Sequence, residues 1–344
     1  MKNLKTYTNE ELQNIIESIG EKKFRAKQLF EWIHGKRVNQ MDDITVLSKK
    51  IIEKISLNGY TVQSLSKVKR FDSKDKHTHK YLFKLEDDHV IESVLMKYHH
   101  GYSACLSTQV GCRMGCNFCA STKAGLVRNL TAGEIVDQIY QMEKDLNISI
   151  SNIVLMGTGE PLDNFEEVVK FFRIVHDELG KNLGYRHITL STCGLVPKIY
   201  ELANLNIPIT LSISLHSPFD DKRKEIMPIA NKYSIDEIIK ACKYYFNSTG
   251  RRITFEYTLI KGVNDGEREA RAIGKLIKGL NAHVNLIPLN EIRESELETS
   301  TDGNVQNFKC ILEKIGVNST IRREMGLDIN AACGQLRKDY MDAH

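Results

Sequence analysis

No apolar run in this 344-residue sequence comes near the roughly 20 residues that a helix needs to cross a bilayer. The N-terminus, MKNLKTYTNEELQ, lacks the apolar core of a secretory signal. A cytoplasmic protein with no membrane partner is therefore expected. Cysteine is too sparse for a disulfide scaffold, with eight residues in the whole chain. In a reducing compartment clustered cysteines are more often metal ligands or catalytic thiols than structural bridges. There is no internal repeat and no low-complexity tract. Tryptophan occurs once, as Trp32, and is expected in the core rather than as a platform for a stacked base. What is present, with 41% hydrophobic residues, is enough for one large α/β domain and a small appendage.

Charge is unevenly spread. Residues 1–80 hold 17 Lys and Arg against 10 Asp and Glu, a net of +7, which leaves −3 for the rest of a chain of net charge +4. Two readings fit this asymmetry: a docking surface for a polyanion such as nucleic acid, and a solvated basic face.

Residues 9–56 read as helices. Asn9-Glu10-Glu11-Leu12 has the acidic first turn of a helix start. Phe24, Leu29, Phe30, Trp32 and Ile33 recur at amphipathic spacing, with Lys22, Lys23, Arg25, Lys27, Lys36 and Arg37 around them. A third helix is expected over 46–56. Residues 67–80 are polar and read as a loop or hairpin turn, followed by short strands at 80–86 and 89–97. From there strands and helices alternate. Strands are expected at 103–110, 152–157, 187–192, 208–215, 253–259 and 283–289. Helices are expected at 132–146, 165–178, 197–204, 235–247, 265–279 and 303–315. Six such units predict parallel strands with crossover helices, as a full or partial barrel, with functional residues at the C-terminal strand ends.

The segment QVGCRMGCNFCAS carries Cys112-x3-Cys116-x2-Cys119 just after the first of these strands. Three thiolates this close can wrap one soft-metal site. A cubane iron–sulfur cluster normally takes four cysteines, so three leave one iron open to an outside ligand. A zinc site with a distant fourth ligand, or simply buried thiols, would use the same residues. The spacing, with Phe118 before the last cysteine, is similar to that of the radical S-adenosylmethionine (SAM) superfamily. Gly157-Thr158-Gly159-Glu160-Pro161 resembles that superfamily's glycine–glutamate segment, although such glycines often only turn the chain. Ser191 and Ser214-Leu215-His216 end later strands. His216 reads as a site residue by its place or as a satisfied core histidine.

Taken together, FRAKQLFEWI, CLSTQVGCRMGCNFCAS, MGTGEPLDN, LSISLHSP, IMPI, FEYTLIKGVND, VNLIPLN and REMGLDINAACGQL closely resemble one family over nearly the whole chain. This is the RlmN-type family of radical SAM RNA adenine methyltransferases. The resemblance implies a partial (β/α)6 TIM-like barrel of the radical SAM type with a small N-terminal helical domain. The implied organisation is a helical RNA-binding domain at 1–60, a linker with short strands at 61–97, and a radical SAM core with a C-terminal catalytic segment at 98–344. It implies one [4Fe-4S] cluster on Cys112, Cys116 and Cys119, and SAM held by Gly159, Glu160, Ser191, Ser214, Leu215, His216 and Asn290. It also implies that Cys333 becomes S-methylated, that Cys105 is its resolving partner, and that Glu92 accepts a proton. Away from the resemblance, Cys105 and Cys333 would read as buried thiols, as would Cys193, Cys242 and Cys310, and Glu92 as a surface strand residue.

The implied reaction methylates carbon 2 of an adenosine in 23S ribosomal RNA, with transfer RNA as a second substrate. Carbon 2 of adenine is electron-poor and no nucleophile, so polar methyl transfer does not work there. A thiolate carrier takes the methyl from one SAM, and a 5′-deoxyadenosyl radical from a second SAM activates it. The Cys105 thiolate then frees the RNA and leaves a Cys105–Cys333 disulfide for an external reductant. An external electron donor and a monomeric enzyme are also expected. The alternative is the relative that methylates carbon 8 of the same adenosine and confers antibiotic resistance. Gly159-Glu160-Pro161-Leu162 matches the carbon 2 group, while Thr158 stands where methionine is commoner in both. A radical activase would need no Cys105/Cys333 pair, and a sulfur inserter would carry a second set of cluster ligands. A non-enzymatic RNA-binding protein with a structural zinc would lack iron. Arg322 and Arg323 read as phosphate partners or as caps of a strand end.

Overall fold

The computed structural model describes residues 1–323 and 325–336. Three short helices open the chain: α1 (Asn9–Ser18), α2 (Phe24–Phe30) and α3 (Lys49–Leu57). α1 starts at Thr8, whose hydroxyl accepts from the Glu11 amide while Glu11 accepts from the Thr8 amide. Leu12, Ile15, Ile16, Ala26, Leu29, Phe30 and Ile33 turn inward, as their spacing requires. Phe24 departs from the expected stripe and is 51% exposed. It starts α2 and is not yet on the buried face. Trp32 is half-buried against the core, with the Lys36 ammonium 3.8 Å from its ring centre.

This helical unit is fastened to the rest of the chain through a buried ion pair. Lys5, 1% exposed, donates to Asp137 at 2.5 Å and to Ser64 at 2.7 Å. The other Asp137 oxygen accepts from the Leu65 amide at 2.6 Å. Removing one member of such a pair strands the other charge in the interior. Asp137→Ala is expected to cost about 3–5 kcal/mol of stability, measured by urea unfolding.

Ten strands make one sheet whose neighbours are consecutive in the chain. They are β1 (Ser66–Asp72), β2 (Thr78–Lys84), β3 (Val90–Tyr98), β4 (Gly101–Cys105), β5 (Ile150–Leu155), β6 (Ile188–Thr192), β7 (Thr210–Ser214), β8 (Ile253–Leu259), β9 (Ala282–Pro288) and β10 (Ser319–Ile321). β1 to β4 pair antiparallel. β4 to β10 pair parallel. Each parallel step needs a long crossover. These are α4 (Ala132–Leu146), α5 (Phe165–His176), α6 (Val196–Asn204), α7 (Asp220–Ile226) with α8 (Ile235–Thr249), α9 (Glu267–Leu276) and α10 (Asp302–Lys314). Local chemistry sets their ends. Thr131 with Glu134, and Ser234 with Glu237, form capping boxes at α4 and α8. Asn147 and Gly250 close the same helices in the left-handed region. The result is the expected partial barrel with its N-terminal helical unit.

Three local expectations change. The polar stretch 67–80 is largely strand: β1 and the start of β2. β1 lies at the sheet edge with most of its residues exposed, so no apolar alternation marks it. β10 is a seventh parallel strand, too short to stand out. The expected strand 103–110 breaks after Cys105, because side chains replace the ladder there. The Ser107 amide donates to Gln138, Gln138 donates back to the Ser107 carbonyl, and the Ser107 hydroxyl donates to the Glu92 carbonyl. The chain then pairs Gln109–Gly111 antiparallel with Leu126–Asn129. This small ribbon brackets the cysteine loop. Gly111 sits at φ 76°, where an added Cβ would fall 1.9 Å from the Gly125 carbonyl oxygen.

Candidate active site

The parallel strand ends and the cysteine loop surround an open cleft of about 900 Å³. Cys112, Cys116 and Cys119 all line it. Their loop is pinned from both sides. The Asn117 amide and side chain donate to the Ile226 and Glu225 carbonyls at the end of α7. The Thr122 hydroxyl lies within bonding distance of the Cys116 and Cys119 carbonyls. The Ala120 amide donates to the Gly334 carbonyl, which joins the loop to the C-terminal segment.

Burial pushes the Cys112 thiol up to about 12 and raises Cys116 and Cys119 as well. Neighbouring thiols and the Glu160 carboxylate push in the same direction on Cys112 and Cys116. Such a donor set becomes favourable as thiolates only around a strongly positive centre. An all-sulfur set suits an iron–sulfur cluster. Among the described residues, no three His, Cys, Asp or Glu side chains gather closely enough for a single ion.

Facing the loop are the residues expected to hold SAM. Gly159 has φ 114°, and an added Cβ would lie 2.7 Å from Gln109. Glu160 is buried, and its two oxygens accept from the Leu162 amide at 3.0 Å and the Cys193 amide at 2.8 Å. Burial raises its pKa above the ordinary carboxylate range. Ser191 and Ser214, near the ends of β6 and β7, line the cleft. Leu215 does not: its side chain is fully buried in the core, and its carbonyl accepts from Arg223. His216 lies in the left-handed region at φ 53°, with its ring 4.8 Å from that of Phe118. Its Nδ1 accepts from the Thr258 amide at 2.9 Å. Burial pulls its pKa down to about 3, so the neutral ring carries its proton on Nε2. Asn290 donates to the Cys333 carbonyl at 3.0 Å.

A second cavity of about 580 Å³ adjoins the first and is lined by Val94, Tyr98, Cys105 and Arg323. Met156, Ile287, Asn290, Arg322 and Cys333 line both. Cys333 thus stands in the shared wall between the triplet and Cys105. All eight cysteines are free. Burial raises Cys105 to about 12, with Cys333 adding to the rise and Arg322 opposing it. Glu92 lines neither cavity. It is 3% exposed on β3, on the face shared by Val94 and Met96, with Lys80 at 3.3 Å.

Of several further residues in and around the cleft, sequence singled out only Arg322, as a phosphate partner or a strand-end cap. Glu256 on β8 accepts from Ser212 at 2.8 Å and Asn285 at 3.0 Å, and faces Arg322 at 3.8 Å. Arg322 extends the β10 ladder through its amide and turns its side chain into the cleft. Cys193 packs in one cluster with Cys116 and Met227 and lines the cleft. Arg223 is fully buried and ties the Cys193, Ser214 and Leu215 carbonyls together. No local motif marks these residues, since their role comes from strands far apart in the chain. Cys242 is a core thiol as expected, whereas Cys310 is exposed.

Residues 106–272 match the radical SAM superfamily, and residues 2–59 match the ribosomal RNA large subunit methyltransferase N-terminal domain. With the barrel and the thiol-lined cleft, these matches define a radical SAM enzyme. The chain is 53% identical over 341 residues to a dual-specificity RNA methyltransferase RlmN of Clostridium novyi, covering 99% of each chain. It is 56% identical to the RlmN of Alkaliphilus metalliredigens, covering 98% of this chain and 96% of that one. A crystal structure of a radical SAM methyltransferase from Sphaerobacter thermophilus superposes with a TM-score of 0.93 at 40% identity, over 98% of this chain and all of that one. The chain belongs to the RlmN family of radical SAM RNA methyltransferases. Among the described residues no helix is long and apolar enough to cross a membrane.

Proposed function

We propose that this enzyme methylates carbon 2 of an adenosine in large-subunit ribosomal RNA, and of one in transfer RNA, with Cys333 as the covalent methyl carrier. The observation that carries this reading is the place of Cys333 in a wall shared by the cysteine-triplet cleft and the Cys105 cavity. A carrier must meet the methyl source on one side and its resolving thiol on the other. The relatives are dual-specificity RNA methyltransferases by name, which agrees with two RNA substrates.

Cys112, Cys116 and Cys119 would hold a [4Fe-4S] cluster. Gly159, Glu160, Ser191, Ser214, His216 and Asn290, with the Leu215 backbone, would hold SAM. When bound, these groups supply the reductive cleavage that yields a 5′-deoxyadenosyl radical, so two SAM molecules serve each turnover, one for the methyl and one for the radical. The protein's own part is to carry, orient and move protons. Cys333 takes the methyl on sulfur and presents it toward the target ring. Glu92 accepts the ring proton. The odd electron of the ring adduct would return to the electron-transfer chemistry that the cluster supplies. The Cys105 thiolate attacks the Cys333 sulfur, the carbon–sulfur bond breaks with its electron pair on the methylene carbon, which takes up a proton to become the product methyl, and a disulfide remains for external reduction. The helical segment 1–60 grips the RNA backbone through its Lys and Arg side chains, without sequence choice. The target base must leave its stack to reach a recessed cleft.

Nucleoside mass spectrometry after anaerobic turnover on ribosomal and transfer RNA fragments tests this. The expected product is 2-methyladenosine from both RNAs. A product of 8-methyladenosine would replace the carbon 2 reading with the carbon 8 one.

A further inference from the structure

The antiparallel extension β1–β3 holds the C-terminal segment at three points. The Lys74 amide donates to Asp328 at 2.8 Å. Gly326, at φ 72°, packs so closely on Thr78 that an added Cβ would lie 2.8 Å from its methyl. The Lys80 ammonium donates to the Asn330 carbonyl at 3.3 Å, three residues before Cys333. The same ammonium is 3.3 Å from the Glu92 carboxylate. Lys80 is 7% exposed and Glu92 3%, and they form a diagonal pair across β2 and β3. One buried cation thus touches both the acid proposed as base and the segment that carries the methyl.

We propose that Lys80 is a positioning residue for proton removal: it keeps Glu92 ionised and aimed, and joins it to the docked Cys333 segment. This rests on the reading of Glu92 as base. An ammonium beside a carboxylate in a dry site favours the charged form, which is the form able to take a proton. Its bond to Asn330 aligns that carboxylate with the segment presenting the methylated sulfur. Glu92 works after the carbon–carbon bond to the ring has formed. Losing Lys80 therefore stalls the reaction at the covalent protein–RNA adduct, with Cys105 unable to release it.

The test uses anaerobically reconstituted full-length enzyme with a ribosomal RNA fragment. Wild type, Lys80→Met, Lys80→Arg and Glu92→Gln are compared for 5′-deoxyadenosine, adduct on denaturing gels, and methyladenosine. Lys80→Met is expected to form deoxyadenosine within about 3-fold of wild type, lose methyladenosine by roughly 100-fold, and accumulate adduct. Lys80→Arg is expected to recover most of the product, because it restores the cation. Glu92→Gln is expected to trap adduct at least as strongly. Adduct in Glu92→Gln with none in Lys80→Met would overturn the role of Lys80 alone. Near-normal methylation by Glu92→Gln would remove the base reading, and the Lys80 role with it. Parallel loss of deoxyadenosine and product in Lys80→Met, unrelieved in Lys80→Arg, would reduce Lys80 to a structural residue.

Discussion

Cys333→Ala loses RNA methylation by roughly three orders of magnitude or more, yet still forms 5′-deoxyadenosine when given SAM and reductant. The two outcomes separate because Cys333 lines the cleft without belonging to the triplet loop. Its side chain is partly exposed, so truncation leaves no large core void. The segment keeps its backbone anchors, the Asn290 bond to the Cys333 carbonyl and the Ala120 bond to the Gly334 carbonyl. What disappears is the one thiol that the described residues place in the wall common to both cavities; the other sulfur there belongs to Met156. The Met156 thioether has no thiolate form with which to accept a methyl. Product analysis and deoxyadenosine quantitation on the same samples check this. Undiminished methylation would end the carrier assignment.

Cys116→Ala removes the iron and every activity with it. Iron in the anaerobically reconstituted protein falls from about four per chain to well under one, and deoxyadenosine formation becomes undetectable. Cys116 is buried, at 8% exposed, and packs with Ile226, Met227 and Cys193. Loss of its sulfur leaves two ligands on one loop, too few for a cubane. Cys193→Ala, by contrast, keeps both iron and activity, although Cys193 lies in the same cluster. Its amide is committed to Glu160, and its carbonyl to Arg223. Metal analysis of the two variants side by side distinguishes a ligand from a neighbour.

Much of this architecture could be read from local chemistry. The helical patterns at 132–146 and 235–247 match α4 and α8 to within two residues. The cysteine triplet is compact in sequence, so its chemistry shows without a fold. Other parts depend on contacts that no local pattern encodes. β1 is polar because it lies at an edge, and so it resembled a loop. The strand ending at Cys105 stops there because Gln138, a helix residue, takes over its hydrogen bonds. Glu256, Arg322 and Cys193 join the cleft only when β6, β8 and β10 are side by side. Cys105, Cys333 and Glu92 are hundreds of residues apart at the extreme, and resemblance to a family marked them before geometry did. The geometry brings Cys105 and Cys333 to one cavity, but it leaves Glu92 out of the lining of both cavities, beside Lys80, and keeps the Leu215 side chain out of the cleft.

Whether one iron is left open for a sulfonium ligand is tested most directly by electron–nuclear double resonance on the reduced, reconstituted enzyme, with SAM isotopically labelled in its amino nitrogen and carboxylate oxygen. The expected result is direct hyperfine coupling of both labels to the cluster, kept in Cys193→Ala and absent when SAM is left out. Bound SAM with no such coupling, together with loss of iron in Cys193→Ala, would mean that a fourth cysteine closes the cluster, and would contradict a radical mechanism at this site.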